Sequence, residues 1–217
     1  MDDRDLSLWK QAPGAVPDWV WERTDLTSLV LADNGLTEVS DRIGELRALR
    51  MLDLGHNRLT TLPESLGRLL GLSDFLYLHD NQLSALPTSL AGLTRLRYLN
   101  LSENKFEALP EAVADMRGLV ELRLNNNRFA ALPAWIGGLR RLRELHIRGN
   151  RLATLPDEVG ALSDLRQIDL RGNPLTHLPE NLSLLPRLEK LDLRWTPDLT
   201  QRSLFEALAA SGCLIYR

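Results

Sequence analysis

Cysteine is almost missing from this chain of 217 residues: Cys213 stands alone. A single thiol supports no disulfide framework and points to a reducing compartment. A strong excess of either charge is missing too. Lys and Arg total 26 against 29 Asp and Glu, a formal net charge of −3, so bulk electrostatics do not suggest a nucleic-acid binder. No apolar run is long enough to span a bilayer. The opening residues Met1-Asp2-Asp3-Arg4-Asp5 are charged, with no apolar stretch behind them, so no signal peptide is visible. There is no glycine-rich phosphate loop of the G-x-x-x-x-G-K-[ST] type.

What the chain does have is asparagine at fixed intervals. Asn34, Asn57, Asn81, Asn104, Asn127, Asn150 and Asn173 are separated by 23, 24, 23, 23, 23 and 23 residues. Each sits in the string L-x-x-L-x-L-x-x-N-x-L/F, as in Leu119-Val120-Glu121-Leu122-Arg123-Leu124-Asn125-Asn126-Asn127-Arg128-Phe129. One motif per strict period means a stack of like supersecondary units. Such a stack presents a broad surface rather than a catalytic cleft.

The string resembles the leucine-rich repeat. The second half of each unit, as in Leu62-Pro63-Glu64-Ser65-Leu66-Gly67-Arg68-Leu69 and Leu155-Pro156-Asp157-Glu158-Val159-Gly160-Ala161-Leu162, resembles the cytoplasmic type of bacterial leucine-rich, plant Ras-group-related and Ras-scaffold proteins. The resemblance covers nearly the whole chain. It implies an α/β fold: a right-handed solenoid, or horseshoe, with a parallel β-sheet on the concave face and 3-10 or short helical turns on the convex face. It also implies an adaptor or scaffold in signalling, without naming a partner. The cysteine-rich caps of extracellular relatives are absent, which favours the cytoplasm, or export without a cleaved signal if the chain is a bacterial effector.

Each x-L-x-L-x segment alternates and reads as a short strand with two leucines inward, such as Leu52 and Leu54. The asparagine follows where the chain turns, and its amide suits backbone groups that the turn leaves unpaired. It reads as scaffold. Subtracting 23 from Leu29 and Leu31 gives Leu6 and Leu8, so residues 1–25 read as an N-terminal cap around a degenerate repeat, with Trp9, Trp19 and Trp21 available to shield the edge. Residues 26–199 hold eight repeats, and 200–217 read as a C-terminal cap. In that cap Ser203 and Glu206 suggest a capping box, Leu204 and Leu208 share a helix face, and Gly212 suits the exit. Adding 23 to Leu191 and Leu193 places Leu214 and Tyr216 inward on a final strand at Cys213–Tyr216. The 24-residue spacing before Asn81 suggests a bulge at Ser73–Asp74 that leaves Phe75 and Tyr77 outward. The rival reading puts Phe75 in the core.

Two groups of outward residues stand out by register. Met51, Phe75, Tyr77 and Tyr98, with His79 beside them, lie on neighbouring strands about 4.8 Å apart and can form one patch. Clustered exposed aromatics are typical protein-binding anchors, although tyrosines also pack on one another across strands. The second group is a row, Arg148, Arg171, Arg194 and Arg217, each 23 apart and bordered by Arg123 and His146. The row either receives carboxylates or phosphates of a partner or is neutralised by Glu144, Asp169 and Asp192.

No catalytic constellation is visible, and neither a metal site nor a cofactor is expected. His79 and His146 are three repeats apart, roughly 14 Å along the stack, and Cys213 is about as far from His146. His177 reads as surface. The expected function is therefore non-enzymatic: a module that binds another protein on its concave face, with no nucleic acid or membrane partner, as a monomer or weak homodimer.

Overall fold

The computed structural model describes residues 3–217; Met1 and Asp2, part of the charged N-terminus read above, lie outside the described residues. The chain divides into two units, Met1–Lys105 with Pro110–Leu119, and Phe106–Leu109 with Val120–Arg217.

Each repeat contributes one three-residue strand, because only the outward–leucine–outward segment alternates before the chain must turn. The first unit holds β1 (Asp5–Ser7), β2 (Ser28–Val30), β3 (Met51–Asp53), β4 (Phe75–Tyr77) and β5 (Tyr98–Asn100). The second holds β6 (Glu121–Arg123), β7 (Glu144–His146), β8 (Gln167–Asp169), β9 (Lys190–Asp192) and β10 (Leu214–Tyr216). Within each unit strand order is chain order, and the pairings are parallel. The central residues Leu29, Leu52, Leu76, Leu99, Leu122, Leu145, Ile168 and Leu191 are fully buried. Where the repeat admits phenylalanine, Phe106 and Phe129 stack in the core with ring centroids 6.3 Å apart.

The return segments are 3-10 helices of five residues, seven among the described residues. Six start behind the expected proline: Pro63, Pro87, Pro110, Pro133, Pro156 or Pro179. Proline holds φ near its helical value, and its missing N–H falls where a helix start has no use for one. The first helix uses Ser40 instead, whose Oγ accepts the Arg42 N–H at 3.2 Å.

The asparagines are buried and bond the turns together. Asn57 Nδ2 donates to the carbonyls of Leu31, Leu54 and Gly55 at 3.0–3.1 Å, and its Oδ1 accepts from the N–H groups of Asn34 and Leu36. Each side chain thus serves the backbone of its own turn and of the preceding one. Thr196 stands where the next asparagine is due, and its shorter side chain reaches only Leu193 O, at 2.6 Å. The residue before each of these positions is left-handed: Asp33, His56, Asp80, Glu103, Asn126, Gly149, Gly172 and Trp195 all have positive φ.

The irregular repeat behaves as the bulge reading requires. Phe75 pairs with Met51 and Tyr98 and faces outward, while Leu76 and Leu78 are fully buried. The extra residue shows in the ladder. Ser73 O accepts the Arg97 N–H and Asp74 O the Tyr98 N–H, whereas at the preceding pair Arg50 O accepts from both Asp74 and Phe75.

The ends need correction. Helix α1 (Trp19–Glu22) buries Trp21, but Trp9 and Trp19 stay exposed, so only one of the three tryptophans shields core. Helix α2 (Arg202–Ala210) buries Leu204 and Leu208 on one face, and Gly212 takes the left-handed exit. Its N-cap is Gln201, with no side-chain cap bond, and Ser203 lies inside the helix, so there is no capping box. Glu206 instead pairs with Arg202 at 2.8 Å. Strand β10 pairs Ile215 with Leu191 and Tyr216 with Asp192, a spacing of 24 rather than 23. A one-residue slip exchanges the faces of a strand. Leu214 and Tyr216 therefore point outward, and Arg217 leaves the arginine row to lie over the Phe205 ring and donate to Leu199 O.

Candidate functional site

On the first unit the outward residues of β3, β4 and β5 meet as the register demands. Phe75 stacks on Tyr77 with centroids 5.8 Å apart, and Tyr98 lies 5.5 Å from Phe75 and 4.9 Å from Tyr77. Phe75 is 43% exposed, while Met51, Tyr77 and Tyr98 are half-buried. The mutual packing and the exposure are both real: the rings brace each other and still offer an apolar face.

His79 extends this patch, its ring 6.0 Å from Tyr77 and edge-on to His56 at 4.6 Å. It fits because residue 55 is glycine; a Cβ there would sit 2.4 Å from the His79 ring. The sequence places His56 on or near the same face as His79 but in a separate repeat, and the structure brings the two together. The left-handed backbone of His56 carries the side chain to the strand face, and the signal was its place just before Asn57. Asp80 holds His56 Nδ1 at 2.7 Å, and the two imidazole Nε2 atoms are 3.2 Å apart. In the neutral pair His56 donates through Nδ1 to the carboxylate and accepts the Nε2–H of His79.

Burial, and then the neighbouring His56 charge, push the His79 pKa below its ordinary 6.5. A histidine with a depressed folded pKa binds fewer protons folded than unfolded just below that value. Its contribution is intact above 6.5 and is lost as pH falls toward the folded pKa. The thermal midpoint should thus fall between about pH 7.5 and about pH 5, and His79→Gln should remove part of that fall. Parallel profiles for both proteins would count against this coupling.

On the second unit Arg171 and Arg194 are anchored. Arg171 forks onto Asp169 at 2.8 and 2.6 Å and reaches Asp192 at 3.6 Å; Arg194 forks onto Asp192 at 2.9 and 2.7 Å. Burial opposes ionisation of Asp192, but hydrogen bonds from Arg194 and the charges of both arginines outweigh it and hold its pKa below the usual carboxylate value. Arg123 is held by Glu121 at 2.5 Å, and His146 lies 3.1 Å from Glu144. Arg148 differs: it is exposed and makes no ion pair among the described residues.

Beside Arg148 and Arg171 lies an open concavity of about 240 Å³, lined also by Asn126 and Trp195. It exists because two successive left-handed positions, Gly149 and Gly172, lack side chains; a Cβ on Gly149 would meet Asn126 Oδ1 at 2.3 Å. Trp195, 71% exposed, stands over Arg171 and Arg194 at 6.0 and 5.9 Å, and Tyr216 lies 5.8 Å from Arg194. These are cation–π distances. Both aromatics escaped sequence reading, Trp195 because it occupies a left-handed position and Tyr216 because of the β10 slip.

Elsewhere little chemistry is on offer. Cys213 is buried, and burial lifts its pKa to about 11, so the thiol is a poor nucleophile. His177 is exposed, as expected. No helix among the described residues is long and apolar enough to cross a membrane.

Comparison with known proteins agrees with the fold. A leucine-rich repeat protein of Leptospira interrogans is 25% identical with a TM-score of 0.80, over 99% of this chain and 66% of its own. The ectodomain of the Arabidopsis thaliana receptor kinase GASSHO1/SCHENGEN3, solved in complex with Casparian strip integrity factor 2, is 32% identical with a TM-score of 0.74, over 87% of this chain and 23% of its own. A TDR receptor is 29% identical with a TM-score of 0.74, over 87% and 36%. The chain thus spans less than two thirds of each of these structures. The leucine rich repeat model matches residues 24–83 and the leucine-rich repeat region model matches 68–214, and neither indicates an enzyme. With strands, turns and asparagines in the repeat's own places, the chain belongs to the leucine-rich repeat family.

Proposed function

We propose that this chain is a non-enzymatic recognition module, an adaptor or scaffold that binds another protein through the outward face of its strands. The observation that carries the reading is the braced patch of Phe75, Tyr77 and Tyr98. Rings already ordered by their neighbours lose little rotamer freedom on binding, which is what an interface anchor needs. Met51 and His79 border the patch. Arg123, His146, Arg148, Arg171 and Arg194 supply electrostatic orientation. Within that group Arg148 is the member with an uncommitted charge, poised over the glycine-floored concavity to take a partner's acidic group. The leucine-rich repeat ectodomain solved in complex with Casparian strip integrity factor 2 supports the general reading.

In this proposal residues 1–25 and 200–217 cap the stack, and the protein acts in the cytoplasm. Its 23-residue L-P-containing units resemble those of bacterial and Ras-scaffold relatives. An exported bacterial effector is the alternative setting. Self-association through the exposed Phe75 is the competing use of the same patch, and mass that rises with concentration would reveal it.

The test is capture of partners by wild type and by Tyr77→Ala/Tyr98→Ala, read by mass spectrometry. A protein retained by wild type and lost by the double variant, with a thermal midpoint within a few degrees, is the expected result. Equal capture by both moves binding away from the patch, and a collapse of the midpoint makes the rings structural.

A further inference from the structure

Strands β6 and β7 bring together three metal-ligating side chains. Their register sets Glu121 opposite Glu144 and Arg123 opposite His146. His146 turns back, placing Nε2 3.1 Å from Glu144 Oε2 and 3.8 Å from Glu121 Oε1. One ligand atom from each residue lies within 4.8 Å of the others. Donors bound to one tetrahedral zinc ion at 2.0–2.2 Å lie roughly 3.3 Å apart, so small side-chain rotations close the set.

The setting favours an occupant. Two carboxylates directly opposite on adjacent strands repel. The His146 side chain is only 12% exposed, so its ring is held in place rather than free to swing away. One imidazole with two carboxylates suits a divalent transition metal of the zinc type better than magnesium or calcium, which prefer oxygen alone. Arg123, at 2.5 Å from Glu121, competes for the same carboxylate. It is 40% exposed, and displacing it from Glu121 is a cost that lowers affinity.

We propose that Glu121, Glu144 and His146 form a binding site for a zinc-type divalent ion, with coordination positions left open toward solvent. The site does not depend on the aromatic patch. The nearest competitor is the His56–His79 pair, which offers two facing nitrogens but no third ligand within reach among the described residues.

Calorimetric titration of the whole chain with zinc chloride, after removal of metal by chelator, tests the site. One saturable equivalent is expected, weakened about tenfold or more by Glu144→Gln and by His146→Asn and retained by His56→Gln/His79→Gln. Zinc should also raise the wild-type thermal midpoint, since the ion binds the folded form. Cobalt absorbance on wild type gives a second readout that no folding defect in a variant can affect. The absence of saturable binding or of a cobalt ligand-field band overturns the proposal. So does zinc binding that survives His146→Asn or disappears in the His56/His79 variant.

Discussion

Asn57→Asp should destabilise the protein more than Asn57→Ala at neutral pH, although aspartate is the closer match in shape. The amide nitrogen of Asn57 donates to three carbonyls at 3.0–3.1 Å, and its oxygen accepts from two backbone N–H groups. Alanine removes all five bonds and leaves buried backbone groups without partners, a loss of roughly 3 kcal/mol. Aspartate keeps the acceptor but turns a carboxylate oxygen toward those carbonyls, where only a proton relieves the repulsion. Its folded pKa is then raised above the unfolded value, so the aspartate variant regains stability as pH falls through that raised pKa. Urea unfolding near neutral pH and near pH 4 separates the two variants. An aspartate protein as stable as wild type at neutral pH would remove the ladder from the account of this fold.

Arg171→Met should be the costliest change among the surface arginines. Asp169 and Asp192 are opposite one another on β8 and β9, with side chains only 7% and 4% exposed. Arg171 touches both. Without it, two buried carboxylates face each other with Arg194 alone to neutralise them. Breaking such a pair from one side costs about 3 kcal/mol, the low end for buried pairs because Arg171 keeps some solvent contact, or roughly 6–12 °C in midpoint. In wild type the depressed Asp192 pKa contributes stability above its unfolded value of 3.8, lost as pH falls through the folded pKa. In the variant one carboxylate takes up a proton at higher pH, so the deficit shrinks with acidification and the two stability curves converge. Arg171→Lys, which keeps the charge but not the fork, should fall between them. A deficit below about 0.5 kcal/mol at neutral pH would be an ordinary surface effect. It would mean that this arginine is free for a partner.

Periodicity carried the fold because most units repeat the same three demands: two inward apolar residues, one amide to close the turn, one proline to start the return. Those demands are local, so Leu76 and Leu78 are found inward even across the irregular repeat. Register failed where the repeat stopped. Between Leu193 and β10 the chain passes through α2, and the extra residue there turned Tyr216 outward and took Arg217 from its row. The aromatic patch was legible because its members lie on strands. Trp195 was not, and the contact of His56 with His79 was not, because counting along strands ignores the left-handed residue before each asparagine. Whether Arg171 and Arg194 were bound or free was a matter of side-chain geometry; their forks onto Asp169 and Asp192 are contacts two residues away that period alone does not rank.

The asparagine bonds also have a direction in time. The Leu36 N–H waits for Asn57, Leu59 for Asn81 and Leu83 for Asn104, so each turn is completed by a side chain 21 or 22 residues further on. At ribosomal speeds of about 5–20 residues per second, that is a delay of roughly 1–4 s. The nascent chain therefore always trails one unfinished turn behind the repeat being made, and a pause of the ribosome within a repeat leaves the one before it open. The turn at Asn173 is closed differently. With Thr196 too short to reach back, the Leu175 N–H bonds to Asn173 O within its own repeat, and the later side chain on which this repeat still waits is Gln201, which bonds both the N–H and the carbonyl of Leu178.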